Sequence, residues 1–532
     1  LRVFTSRDAA TLLSGLTRGA SLSSLSAALG FDAPLPLDRA ARRRLGIDAL
    51  PKRVHVAPGP GTLRALLVTT DGPSSAEWMS STARALVRGA PERAWLLIAA
   101  DTSHTQLSVA APPTDLRAAV PLYSITLAQL RESDAETIAA LVGCREGPDL
   151  MVHLRWRETL GRTALTRRFY QELERGVTQL ATTAEGRAPL EARRTIALLH
   201  TSRLLFVSFL EARGWLDGNR EFLRTHFVAR ARGGYTAHRR LLDPLWFGTL
   251  NTPLAQRAAS AREFGRVPFL NGGLFTRTAL EREHRDLRFS DAALEEIIGG
   301  LLARYRLTAR ESREEWSEAV VDPEMLGRAF ESLMHEGLRR SRGAFYTPPA
   351  LIAQLTRDGL AIALAAQGVA EEHLQRLWDG ERVTRRARQT LGRALEHVRV
   401  LDPACGSGAF LVYVLEELAT LRTHVGDERT TGLRRRDVLT RCIYGVDVDP
   451  TAVWLCQLRL WLSVVVEEED RDPMSLPALP NLDRNIREGD ALAGRGFEDG
   501  WLPRESSLEA RRLRYARASG KRKRTLARTM ER

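Results

Sequence analysis

Val398 to Leu411 reads VRVLDPACGSGAFL. Val398, Val400 and Leu401 make a short β-rich run that breaks into Asp402-Pro403-Ala404-Cys405-Gly406-Ser407-Gly408. Phe410, Leu411, Val414, Leu415 and Leu418 then recur at helical spacing, so the stretch predicts strand, glycine loop, helix. Glycines let a backbone turn sharply and approach a ligand closely, and the helix that follows aims free N–H groups and partial positive charge at it. An anionic group is expected there. The position three residues after Gly408 is Leu411, so the dinucleotide fingerprint of nicotinamide and flavin enzymes is incomplete.

The run from Asp402 to Phe410, DPACGSGAF, resembles the first motif of S-adenosylmethionine-dependent amino-methyltransferases of DNA. It is closest to the adenine-modifying group that includes type IIG restriction-modification enzymes and phage-defence methylases. The resemblance implies that the loop, through Asp402, Ala404, Gly406 and Gly408, wraps the methionine end of the cofactor.

Three further stretches follow the order of that family. Val321 to Leu355 contains Gly343-Ala344-Phe345-Tyr346-Thr347-Pro348-Pro349, similar to the segment that closes over S-adenosylmethionine, which places Tyr346 and Thr347 against the cofactor. Read alone it is a proline-bounded loop between helices, with Asp322-Pro323-Glu324 able to start a helix. Arg441 to Pro450, RCIYGVDVDP, is an apolar strand ending in acids, and Asp447 is placed to accept hydrogen bonds from both ribose hydroxyls. Asp449 reads as the cap of a following helix, and the arginine-rich Thr423 to Asp437 reads as a loop insertion. Asn485 to Leu492, NIREGDAL, resembles the third motif, in which Asp490 would take the adenine amino group of the cofactor; alone it is a surface turn.

The 532 residues exceed one core and imply about three domains. Residues 1–147 read as an α/β domain: Leu63 to Thr70 and Ala94 to Ala100 are strand-like, with Gln106 to Ala110 pairing back. Residues 148–320 read as helical, with Ile196, Leu199, Leu204, Leu205, Phe209 and Leu210 on a helix ending near Gly214. Residues 321–500 read as the first half of a doubly wound Rossmann-like sheet that binds S-adenosylmethionine. Residues 501–532 form a basic tail, read as solvated helix or disorder.

In type IIG enzymes the N-terminal region often carries a nuclease of the Asp…Glu-x-Lys kind, which needs metal-binding acids and a lysine. Lys52, Lys521 and Lys523 are the only lysines, and the positions two before them are Leu50, Ser519 and Lys521. The N-terminal domain is therefore read as structural or DNA-contacting. Cys144, Cys405, Cys442 and Cys456 are scattered without a CxxC pair, which indicates neither a disulfide framework nor a metal site. The net charge of +13 fits double-stranded DNA as partner, and equally the arginine usage of a GC-rich genome. With no apolar run near the length of a membrane span and no signal peptide, the expected place is the cytoplasm.

In this family an Asn or Asp followed by Pro-Pro and an aromatic residue grips the target adenine. No such tetrapeptide occurs here, so the catalytic residues are unassigned, and the chain is expected to be a truncated or split enzyme, inactive alone. Two functions stand: an adenine-specific DNA methyltransferase of a restriction-modification or phage-defence system, or a non-catalytic cofactor- or DNA-binding subunit completed by a second chain.

Overall fold

The computed structural model describes the chain except residues 1–3, 51–52, 116–118, 272, 306–315, 319–320, 322–324, 326–346, 348, 380, 466–471, 473, 475, 477, 494–504 and 532. It divides into two compact units, Leu1–Glu172 with Gly300–Asp322, and Leu173–Gly299 with Pro323–Arg532. These limits differ from the expected boundaries at 147 and 320. The helical stretch is shared between the units because its first and last parts pack with the N-terminal sheet.

The first unit is built on seven strands in sequential order: β1 (Leu35–Pro36), β2 (Val54–Pro58), β3 (Leu63–Thr70), β4 (Ala94–Asp101), β5 (Gln106–Ala110), β6 (Val120–Thr126) and β7 (Trp316–Glu318). β3 with β4 and β6 with β7 are parallel; the other neighbours are antiparallel. Side chains alternate across a strand, and β3 and β4 use both faces. Leu63, Ala65, Leu67, Leu96 and Ile98 join a core with helices α1 (Ser6–Thr17), α2 (Glu132–Gly143) and α3 (Asp149–Leu160), through Leu13, Ile138 and Trp156. Leu66, Val68, Trp95 and Leu97 pack on the opposite side against Met79, Ala83 and Leu86. The expected strands at 63–70, 94–100 and 106–110 are present. Asp101, at the end of β4, accepts the Thr105 and Gln106 amides at 2.8 and 2.7 Å, so its carboxylate serves the turn.

In the second unit, α4 (Leu190–Ala212) ends before Gly214, whose φ is +73°. By length and composition this helix could cross a membrane, contrary to the expectation that no segment could, but 78% of its apolar window is buried. It carries a polar network into the core instead. Arg203 is fully buried, donates to Glu281 Oε1 and Oε2 at 2.6 and 3.1 Å, and donates from Nε to the Leu274 carbonyl at 2.8 Å.

The rest of this unit surrounds a three-stranded parallel sheet of β8 (Val400–Asp402), β9 (Ile443–Asp447) and β10 (Ile486–Glu488), with β9 in the middle. Around it stand α5 (Pro349–Ala365), α6 (Arg385–His397), α7 (Ala409–His424), α8 (Thr431–Arg441) and α9 (Pro450–Val465). α7 and α9 pack on β9, and α5 packs on α7. The segment read as a loop insertion, 423–437, is a loop only in its middle: its first two residues end α7 and its last seven open α8. Thr430 accepts the Leu433 amide, and Val438 and Leu439 are buried, which the run of arginines concealed. The basic tail is helical, with Arg511, Arg514, Arg517 and Arg522 exposed as a solvated helix would have them, but Tyr515, Ala516 and Ala518 are buried. It forms α10 (Glu505–Ala516) and α11 (Gly520–Glu531), and Asn481 Nδ2 donates to the carbonyls of Tyr515, Ala516 and Ala518 at 2.9, 3.3 and 2.7 Å.

Candidate cofactor-binding site

β8 ends at Asp402, and the chain turns through Pro403 to Gly408 before α7 begins. Gly406 and Gly408 have φ of +51° and +86°, left-handed values that carry a penalty for residues with a Cβ. Their surroundings differ. A Cβ on Gly408 would stand 2.6 Å from Cys456 Sγ, whereas one on Gly406 would meet nothing within 4 Å. Gly408 therefore lets the loop lie on α9, and Gly406 borders open space.

The loop is fastened from several sides. The Gly406 amide donates to Asp447 Oδ2 at 2.8 Å and the Cys405 amide to the Val446 carbonyl at 2.9 Å. From α9, buried Arg459 donates to the Ser407 carbonyl at 3.1 Å and its Oγ at 3.2 Å. Asp449 caps α9 as expected: its Oδ1 accepts the Thr451 amide at 2.7 Å. Asn485 Nδ2 donates to the Ile443 carbonyl at 2.9 Å, and the Asn485 carbonyl accepts the Gly445 amide at 2.9 Å, tying the start of β10 to β9.

Because the three strands are parallel and adjacent, their C-terminal ends make one rim. In register, Asp402 faces Gly445 and Asp447 faces Glu488, with Asp490 two residues past β10. Asp402 is half-buried, and burial, with the Asp447 charge adding to it, pushes its carboxyl above the usual carboxylate range. The Ala404 amide donates to it at 3.1 Å. Asp490 is exposed and accepts the Leu492 amide at 2.8 Å.

The structure thus brings Asp402, Ala404, Gly406, Gly408 and Asp447 together, with Asp490 on the same rim. Thr347 is half-buried, and the following helix, α5, pairs with α7 through Arg357 Nε and Glu417 Oε1 at 3.6 Å. Tyr346 and the expected helix start at Asp322 lie outside the described residues. Sequence reading missed Arg459, Cys456 and Asn485. The signal for Arg459 was present: a lone arginine inside the apolar run Trp454 to Val465 needs buried acceptors.

The geometry suits a ligand with both cationic and anionic parts. The first intrahelical bond of α7 runs from the Val412 amide to the Gly408 carbonyl, so the amides of Ala409 to Leu411 have no acceptor within the helix. They offer donors to an anion, while three carboxylates offer acceptors to hydroxyls, amines or a cation. Each Asp447 oxygen already takes one amide, from Gly406 or Asp449, and keeps a further lone pair.

A glycine loop between a parallel strand and a helix, beside a strand ending in an acid, defines an α/β domain that binds its ligand at the C-terminal rim of the sheet. Residues 379–494 match the family of the MmeI DNA-methyltransferase domain. A type II restriction enzyme and methyltransferase of Methanocaldococcus jannaschii is 28% identical over 57% of this chain and 28% of its own length. The type II restriction enzyme and methyltransferase Eco57I of Escherichia coli is 32% identical over 18% of this chain and 11% of its own. The chain thus spans less than a third of either relative. The solved type IIL restriction-modification enzyme MmeI in complex with DNA is similar at 20% identity and a TM-score of 0.43, covering 62% of this chain and 40% of that one.

Proposed function

We propose that this chain is the cofactor-holding part of an adenine-specific DNA methyltransferase of a restriction-modification or phage-defence system. In this reading S-adenosylmethionine lies along the rim of β8, β9 and β10. Asp447 takes the ribose hydroxyls and Asp490 the adenine amino group. Asp402, Ala404, Gly406 and Gly408 enclose the methionine end, and Tyr346 and Thr347 close over it. The bound cofactor supplies an electrophilic methyl group on its sulfonium. The single observation that carries the reading is the bond from the Gly406 amide to Asp447, which joins the two elements that would share the cofactor.

The target amino group is a weak nucleophile because its lone pair is delocalised, so its transfer chemistry depends on how firmly the base is positioned. The adenine must also leave the duplex first. These 532 residues contain no Asn-Pro-Pro or Asp-Pro-Pro followed by an aromatic residue. We infer that the base is gripped by residues outside them, which keeps a second reading open: a binding subunit completed by another chain. Both readings place the protein on double-stranded DNA in the cytoplasm.

The test incubates the chain with tritiated S-adenosylmethionine and genomic DNA, alone and with the product of the adjoining reading frame. Retention of cofactor without label in DNA, converted to labelled adenine by the second product, is the expected result. Labelled adenine with the 532-residue chain alone would refute the reading of incomplete catalysis. Failure to retain cofactor would refute the site.

A further inference from the structure

Two side chains of α9 stand under the glycine loop. Cys456 and Arg459 are three residues apart and so share one face of the helix. Cys456 lies against Gly408, and Arg459 reaches the residue before it, donating from Nη1 to the Ser407 carbonyl at 3.1 Å and to Ser407 Oγ at 3.2 Å. Arg459 is 3% exposed and Ser407 4%. A guanidinium at that depth keeps its charge and is costly to bury. Neither of its acceptors on Ser407 requires a cation. Gln457, on the same helix, fastens the Ile486 carbonyl at 3.0 Å with a neutral amide, and Asn485 does the same for the Ile443 carbonyl. A charge at 459 therefore does more than close a hydrogen bond.

Adjacent residues of the loop are held by opposite charges. The Gly406 amide rests on the Asp447 carboxylate, and the Ser407 carbonyl rests on the Arg459 guanidinium. Helix α7 starts two residues further on, at Ala409, where the amides of Ala409 to Leu411 have no acceptor within the helix. Negative charge gathers at the strand ends, through Asp402 and Asp447, with the Asp447 charge acting on Asp402. Positive charge gathers where α7 begins, because Arg459 adds a full charge to the partial one of the helix end. A buried charge is little screened by salt and acts beyond contact distance.

We propose that Arg459 is a positioning residue for the anionic end of the ligand. Acting through Ser407 and the start of α7, its charge draws the carboxylate of S-adenosylmethionine to the amides of Ala409 to Leu411 and leaves the ammonium group to Asp402 and Asp447. The inference rests on the reading of this rim as the cofactor site. It adds a source of specificity: the site discriminates against a ligand that has the same adenosine, sulfonium and ammonium groups but no carboxylate.

The test is a cycle between residue 459 and the ligand carboxylate. S-adenosylmethionine and its decarboxylated form are each titrated calorimetrically into the full chain and into the Arg459→Gln and Arg459→Lys variants. The unmodified chain is expected to bind the carboxylate form at least tenfold more tightly. Arg459→Gln should narrow that ratio at least fivefold, mainly by weakening S-adenosylmethionine, whereas Arg459→Lys, which keeps the charge, should hold the ratio within about twofold of the native value. An equal loss for both ligands in Arg459→Gln would make Arg459 a structural fastening of the loop and overturn the proposal. So would a native chain that binds both ligands equally. Should Arg459→Gln not fold, two measurements still decide: the ratio in Arg459→Lys, and the native ratio in about 1 M salt, which a buried charge leaves largely intact. Collapse of either ratio would also overturn the proposal. Failure of the unmodified chain to bind either ligand removes the cofactor site itself, and this inference with it.

Discussion

The carboxylate of Asp447 accepts the backbone amide of Gly406 at 2.8 Å, across 41 residues of chain. One side chain therefore shapes the glycine loop and marks the end of the neighbouring strand. Asp447→Ala removes the acceptor for two amides together with the proposed ribose contacts. Affinity for S-adenosylmethionine is expected to fall at least tenfold, equivalent to about 1.4 kcal/mol. Asp447→Asn keeps one oxygen and should lie between the two. Calorimetric titration checks this, and undiminished affinity in Asp447→Ala removes the residue from the cofactor site.

The two loop glycines separate backbone strain from crowding. Gly406→Ala meets no neighbour and should cost only the left-handed backbone penalty, about 1–2 kcal/mol. Gly408→Ala carries the same penalty and also drives a methyl into Cys456, adding about 1–3 kcal/mol. Urea unfolding of both variants ranks them. Equal losses would show that α9 gives way without cost.

Glu281 lies in the core beside Arg203. Burial works to raise its pKa, but the Arg203 charge and the hydrogen bonds from His200 and Arg203 outweigh it, so the carboxyl is held well below the usual range. Its contribution is present above the ordinary glutamate value of about 4.3 and is lost as pH falls below it. Glu281→Gln leaves the Arg203 charge buried and unpaired, which should cost about 3–5 kcal/mol at neutral pH. Unfolding curves of the two proteins should converge in strong acid, where the native carboxylate is protonated; a gap that persists unchanged there would contradict this role.

His153 acts in the opposite protonation state. It is buried in the first unit with Nε2 3.2 Å from the Trp95 carbonyl, and burial foremost lowers its pKa to about 4. The folded chain keeps it neutral while the unfolded chain protonates it below about 6.5, so stability is lost as pH falls from 6.5 towards 4. At pH 5 the loss from this residue is about 2 kcal/mol relative to pH 7.5. His153→Gln should flatten the dependence in that window when unfolding of the first unit is followed by urea titration at both pH values.

What the sequence displayed most openly was local. Asp402 to Gly408, the strand into Asp447 and the cap at Asp449 sit on short motifs whose turn chemistry is readable residue by residue. The contacts that hold them are not local. Arg459 reaches Ser407 over 52 residues, Asn485 reaches Ile443 over 42, and Arg203 meets Glu281 over 78. Spacing along the chain carries no signal for such pairs. Charge misled in two places, at α8 and at the C-terminal helices, since arginines line helices whose other faces are buried and look like a solvated run when counted without periodicity. The pairing of β7 with β6 joins Trp316 to Val120 and had no local marker.

That last pairing has a consequence for how such proteins are recombined. The first unit is closed by a strand that follows, along the chain, residues 173–299 of the other unit. A hybrid gene with one junction near residue 172 would join a donor's β1 to β6 to a recipient's β7, leaving the parallel edge pair to be rebuilt from mismatched parents. Exchanging the unit intact needs two junctions, one on each side of the interruption. Its inheritance is therefore that of a host carrying an insertion, and single-crossover chimeras should be recovered less often than double ones.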